Sequence, residues 1–144
     1  MIVVAMEQEK NIADLSKDNR IIVTGVGINV IKALMPLNRD TPIHNIGYAG
    51  SNCIPIGTKV NIGMVRMYHP NVTFEEPTYN LGGDIPCYTS SDFVTKTDIK
   101  EPCVFDMELA YILAMGFTNV TAEKIVSDNL SVKEFENYDK ARGD

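Results

Sequence analysis

The chain has 144 residues and a formal net charge of −6. That length gives one domain, residues 1–144, long enough to bury a single core. The negative balance speaks against nucleic acid as a partner, because phosphate binding is driven mainly by Lys and Arg, but it leaves room for a nucleoside, which carries no phosphate.

The first apolar run, residues 2–6 (IVVAM), is short, continuous and rich in β-branched residues. It predicts a buried parallel strand and is too short for a secretion signal or a membrane span. Glu7 to Lys17 is polar and compatible with a helix. Residues 20–24 (RIIVT) read as a second strand. Gly25-Val-Gly27 then gives a tight turn into a helix over 28–34, which Pro36 closes. A third strand over 43–48 ends in the small residues Gly47, Ala49 and Gly50, which would let a ligand lie against main chain. Residues 58–67 alternate partly, as in a half-exposed strand. His69 to Pro86 reads as a long loop, either functional or an interface. Residues 87–94 hold a short strand or turn. Pro102 to Phe105 leads into a helix of about 10–12 residues ending at Met115. Residues 119–126 form the last strand, and from Ser131 the chain is a short helix or a frayed polar tail.

This alternation predicts an α/β protein, three-layered, with a mostly parallel mixed sheet flanked by helices. In such sheets the site lies beyond the carboxyl ends of the strands. Ala5-Met6-Glu7, Tyr48-Ala49-Gly50 and Ser127-Asp128 are the candidate strand ends, and Asp106-Met107-Glu108 is a turn that can join them. Each has a plainer reading. Asp128 suits a helix cap. Glu108 suits the charge of a helix N-terminus. Glu9 suits a solvated helix and Phe93 a core ring. Gly25-Val-Gly27 lacks the third glycine of a dinucleotide fingerprint. Cys53, Cys87 and Cys103 are odd in number and lack ligand spacing, so they read as buried free thiols in a reducing cytoplasm. His44 and His69 stand apart, so no metal is implied.

The order of the motifs raises these readings together. Ala5-Met-Glu-Gln-Glu9, Thr24-Gly-Val-Gly27, Gly47-Tyr-Ala-Gly50, Tyr68-His-Pro-Asn-Val-Thr73, Ser91-Asp-Phe-Val94, Phe105-Asp-Met-Glu108 and Val126-Ser-Asp128 follow one another. The chain thereby resembles the nucleoside phosphorylase superfamily, most closely its methylthioadenosine/S-adenosylhomocysteine nucleosidase branch, from residue 2 to about residue 130. The resemblance implies a shortened phosphorylase/hydrolase-like fold that cuts the N-glycosidic bond of an adenine nucleoside, with Glu9 activating water. It places Met107 and Glu108 on the ribose, and Asp128, preceded by Ser127, at N7 of the leaving purine. Phe93 would stack on the base, Val94 would meet its edge through the backbone, and Tyr48 would mark the strand end near the nucleophile.

The chain is shorter than usual members. The stretch between Tyr68 and Ser91 is short, and the closing helix is reduced to a polar tail. Tyr48 stands where a small hydroxyl residue is usual, which would narrow the pocket, and Lys124 replaces an Arg without its fork of donors. No Arg lies in the strand-end segments, which favours water over phosphate as nucleophile. A phosphate-dependent phosphorylase and a nucleoside-binding member without turnover stay open as alternatives. The resemblance implies no organic cofactor. It puts the His69–Pro86 loop near a homodimer contact, with no role for a membrane.

Overall fold

A computed structural model describes residues 1–12, 20–68 and 77–143. Among the described residues, eight strands join in one mixed sheet: β1 (Ile2–Val4), β2 (Ile21–Val23), β3 (Ile43–Ser51), β4 (Lys59–Met67), β5 (Tyr79–Asn80), β6 (Ile85–Thr89), β7 (Val104–Asp106) and β8 (Val120–Asp128). Among the same residues, three α-helices accompany them: α1 (Asn29–Leu34), α2 (Leu109–Ala114) and α3 (Val132–Gly143). Parallel pairing links β1 to β2 and β3, β3 to β8, and β6 to β4 and β7. Antiparallel pairing links β3 to β7 and β4 to β5 and β8.

These pairings close a ring: β3 meets β7, β7 meets β6, β6 meets β4, β4 meets β8, and β8 returns to β3. Closure satisfies both edges of these five strands. β1 and β2 extend the sheet beyond β3, and β5 extends it beyond β4. All three residues of β1 are buried, as its continuous apolar run predicts. The larger core joins Val30 and Leu34 of α1, Leu109, Ile112 and Leu113 of α2, and strand residues such as Ile62, Val65, Val104 and Val126. A smaller cluster of Ile2, Val4, Ile46, Tyr48 and Ile125 packs against Phe135 and Tyr138 of α3.

Several local expectations need correction. The expected loop over 69–86 contains β5 and the start of β6; residues 69–76 lie outside the described residues. The lead-in to the expected helix holds the strand β7, and α2 itself is shorter than expected, six residues from Leu109. Val104 to Asp106 are all buried and pair with β6, and such pairing overrides local helix propensity. The segment after Glu7 is a 3₁₀ helix from Glu7 to Ile12, while residues 13–17 lie outside the described residues. The polar tail is a twelve-residue helix, α3, docked by Phe135 and Tyr138. Cys87 and Cys103 are buried free thiols, but Cys53 is exposed. Among the described residues, no helix is long and apolar enough to cross a membrane.

Candidate active site

The sheet brings the ends of β1, β3, β7 and β8 to one cavity of about 190 Å³. All eight residues expected at a site line it: Glu9, Tyr48, Phe93, Val94, Met107, Glu108, Ser127 and Asp128.

Glu9 folds back from its 3₁₀ helix and is 3% exposed. Its Oε1 accepts the amides of Ala5 (2.8 Å) and Met6 (2.9 Å), and its Oε2 accepts the amide of Tyr48 (2.8 Å). The carboxyl is thus tied to the ends of both β1 and β3. Burial raises its pKa, while Lys124 and the three amides oppose the rise.

Asp106 ends β7 and starts α2. Its Oδ2 accepts the Leu109 amide at 2.8 Å, and the Thr89 hydroxyl donates to its Oδ1 at 2.5 Å. Thr89 Oγ1 in turn accepts the Ala110 amide. Two first-turn amides of α2 are satisfied this way, which fixes the direction of the Met107-Glu108 pair. Glu108 Oε2 accepts the amide of Gly27 at 2.8 Å, so the glycine turn docks on this carboxyl. Burial, with Asp106 adding to it, pushes Glu108 up to about 8.

The cation that holds this cluster is Lys124. Its side chain is 1% exposed, and its Nζ lies 3.2 Å from Asp106 Oδ2 and donates to Asn45 Oδ1 at 2.6 Å. Burial disfavours its charge, but Asp106 and Glu108 outweigh burial and the pKa lies above the ordinary lysine value. Sequence reasoning noted Lys124 only as a replacement for Arg and did not place Asn45 or Thr89. The available signal was strand parity: Val120, Ala122 and Val126 face the larger core, and Lys124 shares their face.

The small residues of β3 have a role other than the expected approach of ligand to main chain. A Cβ on Gly47 would lie 2.7 Å from Glu9 Oε2 and 3.3 Å from Lys124 Nζ. A Cβ on Gly50 would lie 2.8 Å from Asp128 Oδ2. The protein's own charged groups fill that space. Tyr48 lines the cavity, and its ring packs edge-on against Phe135 (6.1 Å) and Tyr138 (5.8 Å) beneath α3.

At the other end, Asp128 closes β8 and is 1% exposed. Its Oδ1 accepts the Ser127 hydroxyl at 2.8 Å, and its Oδ2 accepts the Leu130 amide at 3.0 Å. Burial raises its pKa against these bonds. Phe93 stands edge-to-face with Phe135 at 5.8 Å, and both rings line the cavity. Among the described residues, no group of three or more His, Cys, Asp or Glu is arranged to hold a metal ion.

No protein-family model matches the chain, and neither does any curated protein. Solved structures do match. The nucleosidase MTAN of Chlamydia trachomatis bound to adenine is 16% identical with a TM-score of 0.74, over 99% of this chain and 89% of that one. The S-adenosylhomocysteine nucleosidase of Streptococcus pyogenes, in complex with 5-methylthiotubericidin, is 18% identical with a TM-score of 0.72, over 99% and 89%. The futalosine hydrolase of Helicobacter pylori is 12% identical with a TM-score of 0.73, over 99% and 91%. The chain has the fold that these nucleoside hydrolases share.

Proposed function

We propose that this chain hydrolyses the N-glycosidic bond of adenine nucleosides of the methylthioadenosine/S-adenosylhomocysteine type and releases adenine. One observation carries the reading: Glu9, Glu108 and Asp128, from distant stretches of sequence, converge with Phe93 on one cavity in a fold shared with nucleosidases.

The roles follow from the environments. As the bond between C1′ and N9 breaks, its electron pair goes to the purine and positive charge builds on the sugar. Asp128, whose raised pKa favours the protonated form, gives its proton to N7. Ser127 and the Leu130 amide aim that carboxyl. Water attacks C1′ and loses its proton to Glu9, whose ionised form Lys124 and three amides support. The balance is water plus nucleoside to adenine plus the free sugar.

Glu108 accepts the ribose hydroxyls, with Met107 beside it. Hydrogen bonds donated by two hydroxyls favour the ionised carboxylate and oppose the rise that burial gives Glu108. Phe93 stacks on the base and the Val94 main chain meets its edge. Tyr48 contributes its backbone amide to Glu9.

Water is favoured over phosphate. Among the described residues lining the cavity, five are acidic (Glu9, Asp92, Asp106, Glu108 and Asp128), and none is Lys or Arg. Lys124 lies behind this lining, with its ammonium against Asp106 and Asn45. An anion entering there meets net repulsion.

The test is incubation with methylthioadenosine, with and without phosphate. Adenine and methylthioribose formed without phosphate support hydrolysis. A strict phosphate requirement makes the protein a phosphorylase. Adenine binding by calorimetry without turnover makes it a binding member. A cytoplasmic homodimer acting on a small-molecule substrate completes the proposal, and sedimentation measures the assembly.

A further inference from the structure

The step from β8 to α3 takes only three residues, 129–131, and it is tied at each of them. The Asn129 side chain donates to the carbonyls of Ser51 (3.2 Å) and Ile54 (2.8 Å), at the end of β3 and three residues past it. The Asn129 amide donates to Glu134 Oε1 at 3.1 Å. Leu130 has φ of 65°, the one non-glycine residue among those described with a positive value. A left-handed leucine costs about 1–2 kcal/mol and persists only where its surroundings impose it. Here that conformation turns the Leu130 amide onto Asp128 Oδ2. The Ser131 hydroxyl then accepts the Glu134 amide and caps α3. In the usual capping box the Glu side chain returns to the amide of the cap residue itself. Glu134 reaches two residues further back, to Asn129.

We propose that Glu134 and Asn129 are positioning residues for Asp128: together they clamp the reversal so that the strained Leu130 amide holds the acid in place and Phe135 is set beside Phe93. The inference rests on the reading of Asp128 as the acid. It adds a reason for a strained leucine and for a carboxylate near a carboxyl that must hold a proton. The Glu134 charge itself helps to raise Asp128, while the Ser127 hydroxyl and the amides of Leu130 and Ser131 oppose the rise. The other charged groups around the cavity, Glu9, Asp92, Asp106, Glu108 and Lys124, are common to every variant compared below.

Two substitutions in the full chain separate geometry from charge. Glu134→Gln keeps an oxygen for the Asn129 amide and removes the charge. Glu134→Ala removes both. The primary readout is the Leu130 amide resonance, which follows the titration of Asp128 as long as the two are hydrogen-bonded and needs no turnover. The wild type and Glu134→Gln are expected to keep that coupling, with Asp128 titrating at lower pH in the Gln variant. Glu134→Ala and Asn129→Ala are expected to lose it while remaining folded by circular dichroism. With methylthioadenosine, the two Ala variants are expected to lose about 10–100-fold in kcat with KM within about twofold, because misplacing a reacting group is read in the chemical step. Coupling retained in folded Glu134→Ala overturns the clamp, as does coupling lost in Glu134→Gln. Should the Ala variants unfold, Glu134→Met, which keeps the bulk and removes the acceptor oxygen, takes their place, and coupling retained there overturns the clamp. If the wild type has no turnover, the proposed activity fails, and the amide titration alone still decides the clamp.

Discussion

In one part of the cavity, Asp106, Glu9 and Glu108 share the buried ammonium of Lys124. In the other, Asp128 is held by a hydroxyl and main-chain amides, near the rings of Phe93 and Phe135. Burial raises both Glu9 and Asp128, but at Glu9 Lys124 and three amides oppose the rise, whereas at Asp128 a hydroxyl and two amides do. A neighbouring cation favours the ionised form, and burial without one favours the proton. One ammonium cannot offset three carboxylates. Asp106 lies at 3.2 Å from it, and Glu108 is pushed up to about 8, first by its burial and then by Asp106, with Lys124 opposing.

Substitution at the acid end should give the largest effect. Asp128→Asn keeps the shape and removes the proton donor, so adenine release should fall by ~10²–10⁴-fold while adenine binding persists. Release at the wild-type rate would erase the distinction between the two ends. At the cation end, Lys124→Met leaves Asp106 buried without its countercharge. It should cost about 3–5 kcal/mol of stability, read by urea unfolding. A loss well under 1 kcal/mol would mean that Asp106 does not depend on Lys124.

Phe93→Ala tests the aromatic surroundings of the acid. Adenine binding should weaken by about 1–3 kcal/mol in calorimetry. The smallest effect concerns pH. Because the folded-state pKa of Glu108 is raised, its proton stabilises the fold below about pH 4.5, and that contribution is lost as pH rises through about 8. Glu108→Gln should remove this loss. The variant should gain stability relative to wild type between these values, seen as a flatter plot of unfolding free energy against pH. A parallel plot would place the raised pKa on another carboxyl.

Much of the site was legible in the strand ends. Apolar runs such as residues 2–6 end in polar or small residues where a parallel sheet exposes its carboxyl edge, and Glu9, Tyr48 and Asp128 all lie at or near such ends. The Met107-Glu108 pair was legible by its place in the motif order. Lys124 was harder to read as part of the site, because its meaning comes from Asp106 and Asn45 on other strands. Val104 to Asp106 read only as a lead-in to a helix, because a three-residue strand carries too little periodicity, and pairing with β6 decides its conformation. The polar tail left a short helix and a frayed end both open, because its composition hides the two anchors, Phe135 and Tyr138, that dock it as a helix.

The amino-acid sequence by itself determined which side chains are candidates for the site and in what order they occur, because strand-forming runs and the small or acidic residues that end them are local properties. The tertiary structure alone decided that five strands close into a ring, that Lys124 lies against Asp106 and Asn45, and that the amide of a left-handed leucine meets Asp128. Each of these depends on which distant segments become neighbours, and nothing in the local pattern of a strand specifies its partner.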